Sequence, residues 1–442
     1  MLNVRNFGAK GDGITLDTEA IQNAIDAGGM VCFPPGEYLS GTLYLKSNGG
    51  LFLEQGAVLK GSPRKEDYNA DDFCSQNRVF ANELVSGAHF IVAVEQENIT
   101  LAGPGRIDGN RQAFYGTAEQ PEPGQPLTME HFSREELSKS WRPAQMIFFC
   151  ECKSVRISDI QMYNAPYWTC FIHGCEDVFV RGVRILNDIR TFNGDGIDID
   201  SCCRVTVSDC IIDSGDDCIT LRGSNKALKK ERACEYVTIS NCIIRTRCNA
   251  FRIGVGTGTV RKAVISNCII RDTRTGINIC SQYSPGNSVQ IEDVSFENLY
   301  IEAVRPISIQ TNAWGKRLGE SSKEIRNISF HHIRGSGKCS CTVAGHAPGN
   351  MKNISLKDVE LEYSDSERIS FNHPEEDVCN GAYTSAPAAF YCLNVEGLTL
   401  KECTVRWKSQ SSHWKHGVIL ENCSGVTEKE NDFGKEICIQ PS

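Results

Sequence analysis

The sequence predicts an all-β protein: a single-domain right-handed parallel β-helix with a short N-terminal capping helix. Three observations lead there. A strand pattern recurs at coil-length intervals, cysteine interchanges with aliphatic residues at one place in that pattern, and an amphipathic helix stands ahead of the repeats. The pattern is six residues long and begins at Val155 (VRISDI), Val178 (VFVRGV), Val205 (VTVSDC), Val237 (VTISNC), Ala263 (AVISNC), Val294 (VSFENL), Ile328 (ISFHHI), Ile354 (ISLKDV) and Leu398 (LTLKEC). Most successive copies lie twenty-three to thirty-four residues apart, one solenoid coil with room for insertions. Apolar residues alternate with period two, a turn follows, and often a second short strand such as CIIDS, CIIRT or CIIRD. A unit of this kind buries its inner face only by stacking on its neighbours.

Cysteine fits the same register. Cys210, Cys242, Cys268 and Cys403 occupy the place filled by Ile160, Val183, Leu299, Ile333 and Val359 in other coils. A residue that trades with Val, Ile and Leu is a buried one, where a free thiol acts as a small hydrophobe. The twenty-two cysteines are therefore read as core filling rather than as ligands. The Cys150/Cys152 and Cys339/Cys341 pairs have CxC spacing, not the CxxC of a zinc site. His331 and His332 alternate across a strand and do not converge on one ion. No metal and no cofactor are expected.

The helix expected over Asp17–Ala27 (DTEAIQNAIDA) has Asp or Thr at its start and Gly28-Gly29 at its end, and would plug the open end of the solenoid. One β-helix domain then covers 1–442, with the cap and first strands in 1–50. Residues 116–141 and 365–390 break the strand rhythm with Pro and charge and read as loop insertions that wall a cleft.

A formal charge of −9 supplies no basic field for nucleic acid, and no apolar run is long enough to span a bilayer. Met1-Leu2-Asn3-Val4 runs into folded-looking sequence with no signal-peptide pattern, so a cytoplasmic location with reduced thiols is expected. In that setting the sequons at Asn98, Asn327 and Asn353 read as chance.

The chemistry concentrates in NGDGIDIDSCCRVTVSDCIIDSGDDCITLR, from Asn193 to Arg222. Asp195 precedes Asp216-Asp217 by one strand-turn unit, which puts the two clusters on adjacent coils about 4.8 Å apart. Glycoside hydrolysis takes one carboxylic acid for the leaving oxygen and a second carboxylate as nucleophile or as base towards water. Asp195, Asp216 and Asp217 can supply that set, and crowding of like charges would keep one of them protonated. The competing reading is that Asp-Gly and Gly-Asp-Asp are turn formers. The one-coil offset favours catalysis.

From NFGAKGDG and DTEAIQNAI, through RPAQMIFFCECKSVRISDI and NAPYWTCFIHGCEDV, to the last coils, the chain resembles glycoside hydrolase family 28, the polygalacturonase-like enzymes. That family's Asn-Thr-Asp matches Asn193-Gly194-Asp195 at its outer positions, and its Gly-Asp-Asp matches Gly215-Asp216-Asp217. The resemblance implies a right-handed β-helix, Asp216 as general acid, Asp195 and Asp217 activating water, and inversion at the anomeric carbon. The chain then departs from the pattern. The family's Gly-His-Gly falls at Cys248-Asn249-Ala250, its Arg-Ile-Lys at Asn278-Ile279-Cys280, and its tyrosine near Ala313, beside Trp314. The residues that break the bond match; the residues that hold a uronate do not.

Asn193, Arg222, Asn249, Arg252, Asn278 and Trp314 are accordingly the candidate substrate contacts. An outward Arg222 or Arg252 would grip a carboxylate in a fork, or would form an ion pair with a nearby Asp. Trp314, Tyr283 and Trp168 would stack on sugar rings or serve as packing, and His173, on an apolar strand, reads as a core histidine. The function expected is an inverting hydrolase of α-glycosidic bonds in pectin-derived or related oligosaccharides, exo-acting, with an oligosaccharide or polysaccharide as its partner. The alternatives are a lyase on the same scaffold, a hydrolase for a neutral glycoside, and a non-catalytic carbohydrate-binding β-helix.

Overall fold

A computed structural model describes residues 1–79, 83–116, 141–284, 286–312, 322–364, 386–408 and 411–440. The insertions expected at 116–141 and 365–390 fall almost wholly outside these residues, although the strand rhythm has resumed by Ala388–Leu393. The chain divides into two compact units, one comprising Met1–Ile219 with Asn225–Arg232, the other Thr220–Ser224 with Ala233–Ser442. No helix among the described residues is long and apolar enough to cross a membrane.

The first unit is a right-handed parallel β-helix of three short strands per coil. Ile147–Cys150, Lys153–Ser158 and Gln161–Tyr163 form one coil, and Cys170–His173, Glu176–Arg181 and Arg184–Leu186 the next. Ile197–Asp200, Cys203–Ser208 and Ile211–Ser214 follow. The pattern starts at Val155, Val178 and Val205 are direct parallel partners, so the sequence repeat is the structural repeat. Its inward residues Val155, Ile157, Val178, Val180, Val205 and Val207 are buried. Each contributes about 1.5–3 kcal/mol of apolar burial that an isolated coil would lack.

Helix α1, Thr18–Asp26, begins and ends within a residue of the expected limits and turns Ile21, Ala24 and Ile25 inward. Asp17 stands at its N-cap without capping it. The Asp17 carboxylate instead accepts from the amides of Lys10 (2.7 Å) and Gly11 (2.9 Å), while the Thr18 hydroxyl accepts from Gly41 N (2.8 Å). The helix is thereby tied to the loops around it. Gly28 and Gly29, at φ +89° and +80°, end it with backbone that a side chain would disfavour.

The second unit repeats the architecture with longer bands, Thr259–Gln282, Gln290–Asn312, Ile325–Gly337 and Met351–Tyr363. Val237, Ala263, Val294, Ile328, Ile354 and Leu398 pair in sequence order. Phe296 and Phe330 stack at 4.9 Å, nearly coplanar, one coil apart. The cysteine column is buried as expected: Cys210 in the first unit, Cys242, Cys268 and Cys403 in the second. All cysteines among the described residues are free thiols.

Coil corners explain the Asn and Asp content. Asp159 and Asp209 turn in the left-handed region in the first unit, as do Asn241, Asn267, Asn298 and Asp358 in the second. Asn and Asp tolerate that conformation best among residues with a side chain. The sequon asparagines are corner residues of this kind. Asn98 donates to Asn48 Oδ1 (2.8 Å), and Asn353 to Asn327 Oδ1 (3.0 Å), which itself donates to Asp293 (2.8 Å). They are rungs of amide ladders joining successive coils. His332 also sits at a left-handed corner, its Nδ1 2.7 Å from Asp358 Oδ2.

Candidate active site

In the first unit the residues from Asn193 to Asp217 fold into one site. Gly196 N donates to Asp217 O (2.9 Å) and Ile197 N to Cys218 O (2.8 Å), so Asp195 and Asp217 lie side by side on adjacent coils. Each stands two places ahead of an inward isoleucine, Ile197 or Ile219, at the point where the chain enters its strand. Trp168, two places ahead of Cys170, holds that position one coil earlier, and Thr169 N donates to Asp195 O (2.8 Å). A carboxylate oxygen of Asp216 lies within 4.8 Å of one on Asp217. Asp195 and Asp217 are 4% and 9% exposed, so the carboxylates are largely stripped of water while Asp216 remains half-buried.

The glycines of the motif have a steric cause. A Cβ on Gly194 would come 2.9 Å from Thr191 O, and one on Gly215 would fall on the same carbonyl. Gly215 N donates to Gly194 O (3.1 Å), drawing the two turns together. Asn193, at φ +51°, presents its amide to Asp216 Oδ2 (3.2 Å), and Asp217 N donates to Asp216 Oδ1 (3.1 Å). Two backbone donors therefore fix the rotamer of Asp216.

Arg142 is the residue that the motif reading missed. It is fully buried, and Nη1 donates to Pro166 O (2.9 Å), Phe192 O (2.6 Å) and the Tyr115 hydroxyl. Nη2 donates to Asn193 Oδ1 (3.2 Å) and Glu83 O (3.4 Å), and the guanidinium lies 4.0 Å from the Phe192 ring. Burial pushes its pKa below the ordinary arginine value, and the neighbouring tyrosines and Glu83 oppose the shift. It clamps Phe192-Asn193, whose amide positions Asp216. Arg111 and Arg190 brace the same loop through Asp188, with Arg190 Nη2 2.6 Å from its carboxylate. Burial alone would raise the Asp188 pKa, but its bonds from Arg190 and the charge of Arg111 hold it below the usual carboxylate value. Tyr167 donates to Glu83 Oε2 (2.6 Å). Its hydroxyl is pushed well up, first by burial, then by Glu83, with Asp195 among the smaller causes.

Trp168 is packing, stacked on Tyr167 at 5.1 Å and 7% exposed. His173 is a buried histidine, its ring 5.1 Å from Phe171 and its Nδ1 3.7 Å from Asp200 Oδ2.

The second unit holds the other candidates. Arg252 and Asn278 are direct partners on adjacent strands, followed by Ser308 and Thr342. Asn278 Nδ2 donates to Asn249 Oδ1 (3.1 Å), so the two asparagines standing at the family's His and Arg places bond to each other. Arg252 is buried with its guanidinium 4.3 Å from the Tyr283 ring, a cation–π pair. Arg222, on Ile219–Gly223, is half-buried. Trp314 lies outside the described residues.

Residues 75–380 match the family model described as Glycosyl hydrolases family 28, and residues 1–101 match that of Rhamnogalacturonase A/epimerase, pectate lyase-like. A probable polygalacturonase of Vitis vinifera is 28% identical over 229 residues, covering 49% of this chain and 43% of its own length. An exo-poly-alpha-D-galacturonosidase of Dickeya chrysanthemi is 26% identical over 347 residues, covering 69% and 56%. The chain thus spans about half the length of these two relatives. Among solved structures, a hyperthermoactive exopolygalacturonase from Thermotoga maritima aligns at a TM-score of 0.66 and 21% identity, covering 83% of this chain and 87% of that one.

Proposed function

The chain belongs to glycosyl hydrolases family 28, and on that premise we propose that it is an inverting hydrolase of α-glycosidic bonds in pectin-derived oligosaccharides, acting from the chain end. The observation that carries this reading is the gathering of Asn193, Asp195, Asp216 and Asp217 around two crossing turns. Asp216 donates its proton to the departing glycosidic oxygen as that oxygen accumulates charge. Asp195 and Asp217, side by side on adjacent coils, draw a proton from the water that attacks the opposite face of the sugar. Asp216 then recovers its proton from solvent, to which the base carboxylate returns the one it drew from the attacking water. The half-buried position of Asp216 suits that exchange, and the burial of the other two suits carboxylates that act as bases. The exo character and the pectin-derived substrate are supported by relatives named exopolygalacturonase and exo-poly-alpha-D-galacturonosidase. A cytoplasmic setting, with a short imported oligosaccharide as substrate, belongs to the same proposal.

The test is Asp216→Asn, which keeps the shape and one of the two backbone hydrogen bonds but has no acidic proton to give. Turnover of oligogalacturonides should fall by about 10³ or more, with the circular dichroism spectrum unchanged. A variant that turns over at the wild-type rate overturns the assignment. Growth of ultraviolet absorbance in the wild-type product, from a new carbon–carbon double bond, would make the protein a lyase.

A further inference from the structure

The chain of bonds that holds Asp216 does not end at Arg142. A guanidinium fully withdrawn from water needs a counter-charge as well as acceptors. Residues 83–86 of the same unit supply both. Arg142 N donates to Leu84 O (3.1 Å), Ser86 N donates to Arg142 O (3.1 Å), and Val85 and Arg142 form a parallel bridge. At the head of this segment, Glu83 meets Arg142 by two routes. Its carbonyl accepts from Nη2 (3.4 Å), and its carboxylate accepts the hydroxyl proton of Tyr167 (2.6 Å). The Tyr167 ring in turn lies 4.7 Å from the guanidinium, in a box completed by Phe192 at 4.0 Å and Tyr115 at 5.9 Å. Burial works against the charge on Arg142. Tyr115 and Tyr167 sustain it, and Glu83 is the carboxylate that joins them.

We propose that Glu83 is a positioning residue for the general acid. Its carboxylate fixes Tyr167 and balances Arg142, Arg142 holds Phe192 O and Asn193 Oδ1, and Asn193 N holds Asp216 Oδ2. The inference rests on the hydrolase reading above and adds to it a residue that acts through three others. A part that only held the fold together would slow every substrate alike. A misplaced acid does not: a sugar leaving group needs the proton of Asp216, whereas p-nitrophenolate, a far weaker base, departs without one.

The test is Glu83→Gln, which keeps the size and an acceptor for Tyr167 but removes the charge. Steady-state rates are compared on an α-linked oligogalacturonide and on p-nitrophenyl α-galacturonide, with circular dichroism showing the variant folded. On the oligosaccharide, kcat should fall about 10- to 100-fold with KM changed far less. On the aryl glycoside, kcat should stay within about threefold of wild type, and Asp216→Asn should show the same split in larger measure. In the R142K background, E83Q should cost little further kcat, because both act along one chain of contacts. Equal losses on the two substrates, an unchanged oligosaccharide rate, or losses that multiply in the double variant overturn the inference. Should E83Q fail to fold, Tyr167→Phe keeps the carboxylate and removes its bond, and the same split is expected; its absence overturns the inference. A wild-type protein that hydrolyses neither substrate sinks the hydrolase reading and this inference with it. Hydrolysis of both substrates, unaffected by E83Q, sinks this one alone.

Discussion

Replacing Arg142 by lysine removes a fork and keeps a charge. The guanidinium serves Tyr115, Pro166, Phe192, Asn193 and Glu83, five acceptors. An ammonium has three protons, so at least two buried acceptors lose their donor, each at about 1–3 kcal/mol. The expected destabilisation is about 2–6 kcal/mol, a large part of the 5–15 kcal/mol that holds a typical domain together. The catalytic effect is separate. Phe192 O and Asn193 Oδ1 are the contacts that place the amide bonding Asp216 at 3.2 Å, and a misplacement of about 1 Å costs about 100-fold in rate. R142K should therefore show a lowered urea midpoint together with a kcat reduced about 100-fold and a KM changed far less. Both are measured on the same preparation, the rate under conditions where circular dichroism shows the variant folded. A kcat within threefold of wild type, alongside a lowered midpoint, would refute the link from Arg142 through Asn193 to Asp216 and leave the arginine a purely structural part.

Gly215→Ala should cost at least 100-fold in kcat, because its Cβ falls on the Thr191 carbonyl and drives the turns apart; steady-state kinetics on folded protein checks this. Asp188 should make the fold acid-sensitive. Its folded pKa lies below the ordinary 3.8, so its contribution is complete above the unfolded value and is lost as pH falls through the folded one. Between neutral pH and pH 5 the Asp188→Asn variant should thus be less stable than wild type by a constant amount, and below about pH 4 that difference should shrink, as urea titrations at stepped pH would record. Phe330→Ala should lower stability by about 3–5 kcal/mol with turnover intact under folded conditions, since it removes one member of the Phe296–Phe330 stack and opens a cavity.

The coils were legible because a solenoid writes its register into the chain. Val237, Ala263, Val294, Ile328 and Ile354 are neighbours in space in the order in which the pattern repeats, and the Cys–Ile–Val–Leu interchange marks a column that is in fact buried. The carboxylates were legible for the same reason, since one coil of separation in sequence becomes one strand of separation in space. Arg142 was not. Three of its acceptors are backbone carbonyls, and a carbonyl leaves no residue type behind to recognise. The RPAQ stretch carries part of the family resemblance, which gives its arginine no role. The sequon asparagines, read as chance matches, are corner residues in left-handed backbone and rungs of amide ladders.

The stereochemistry of the first product bears most directly on the roles given to Asp195, Asp216 and Asp217. Time-resolved proton NMR of a short α-linked oligogalacturonide, recorded before mutarotation sets in, reads it without labels or variants. The β-anomer should appear first at the newly formed reducing end, with the α-anomer growing in later as the sugar equilibrates. An initial α-anomer would mean a covalent intermediate on one of these carboxylates, and would contradict the assignment of Asp195 and Asp217 as the pair that activates water.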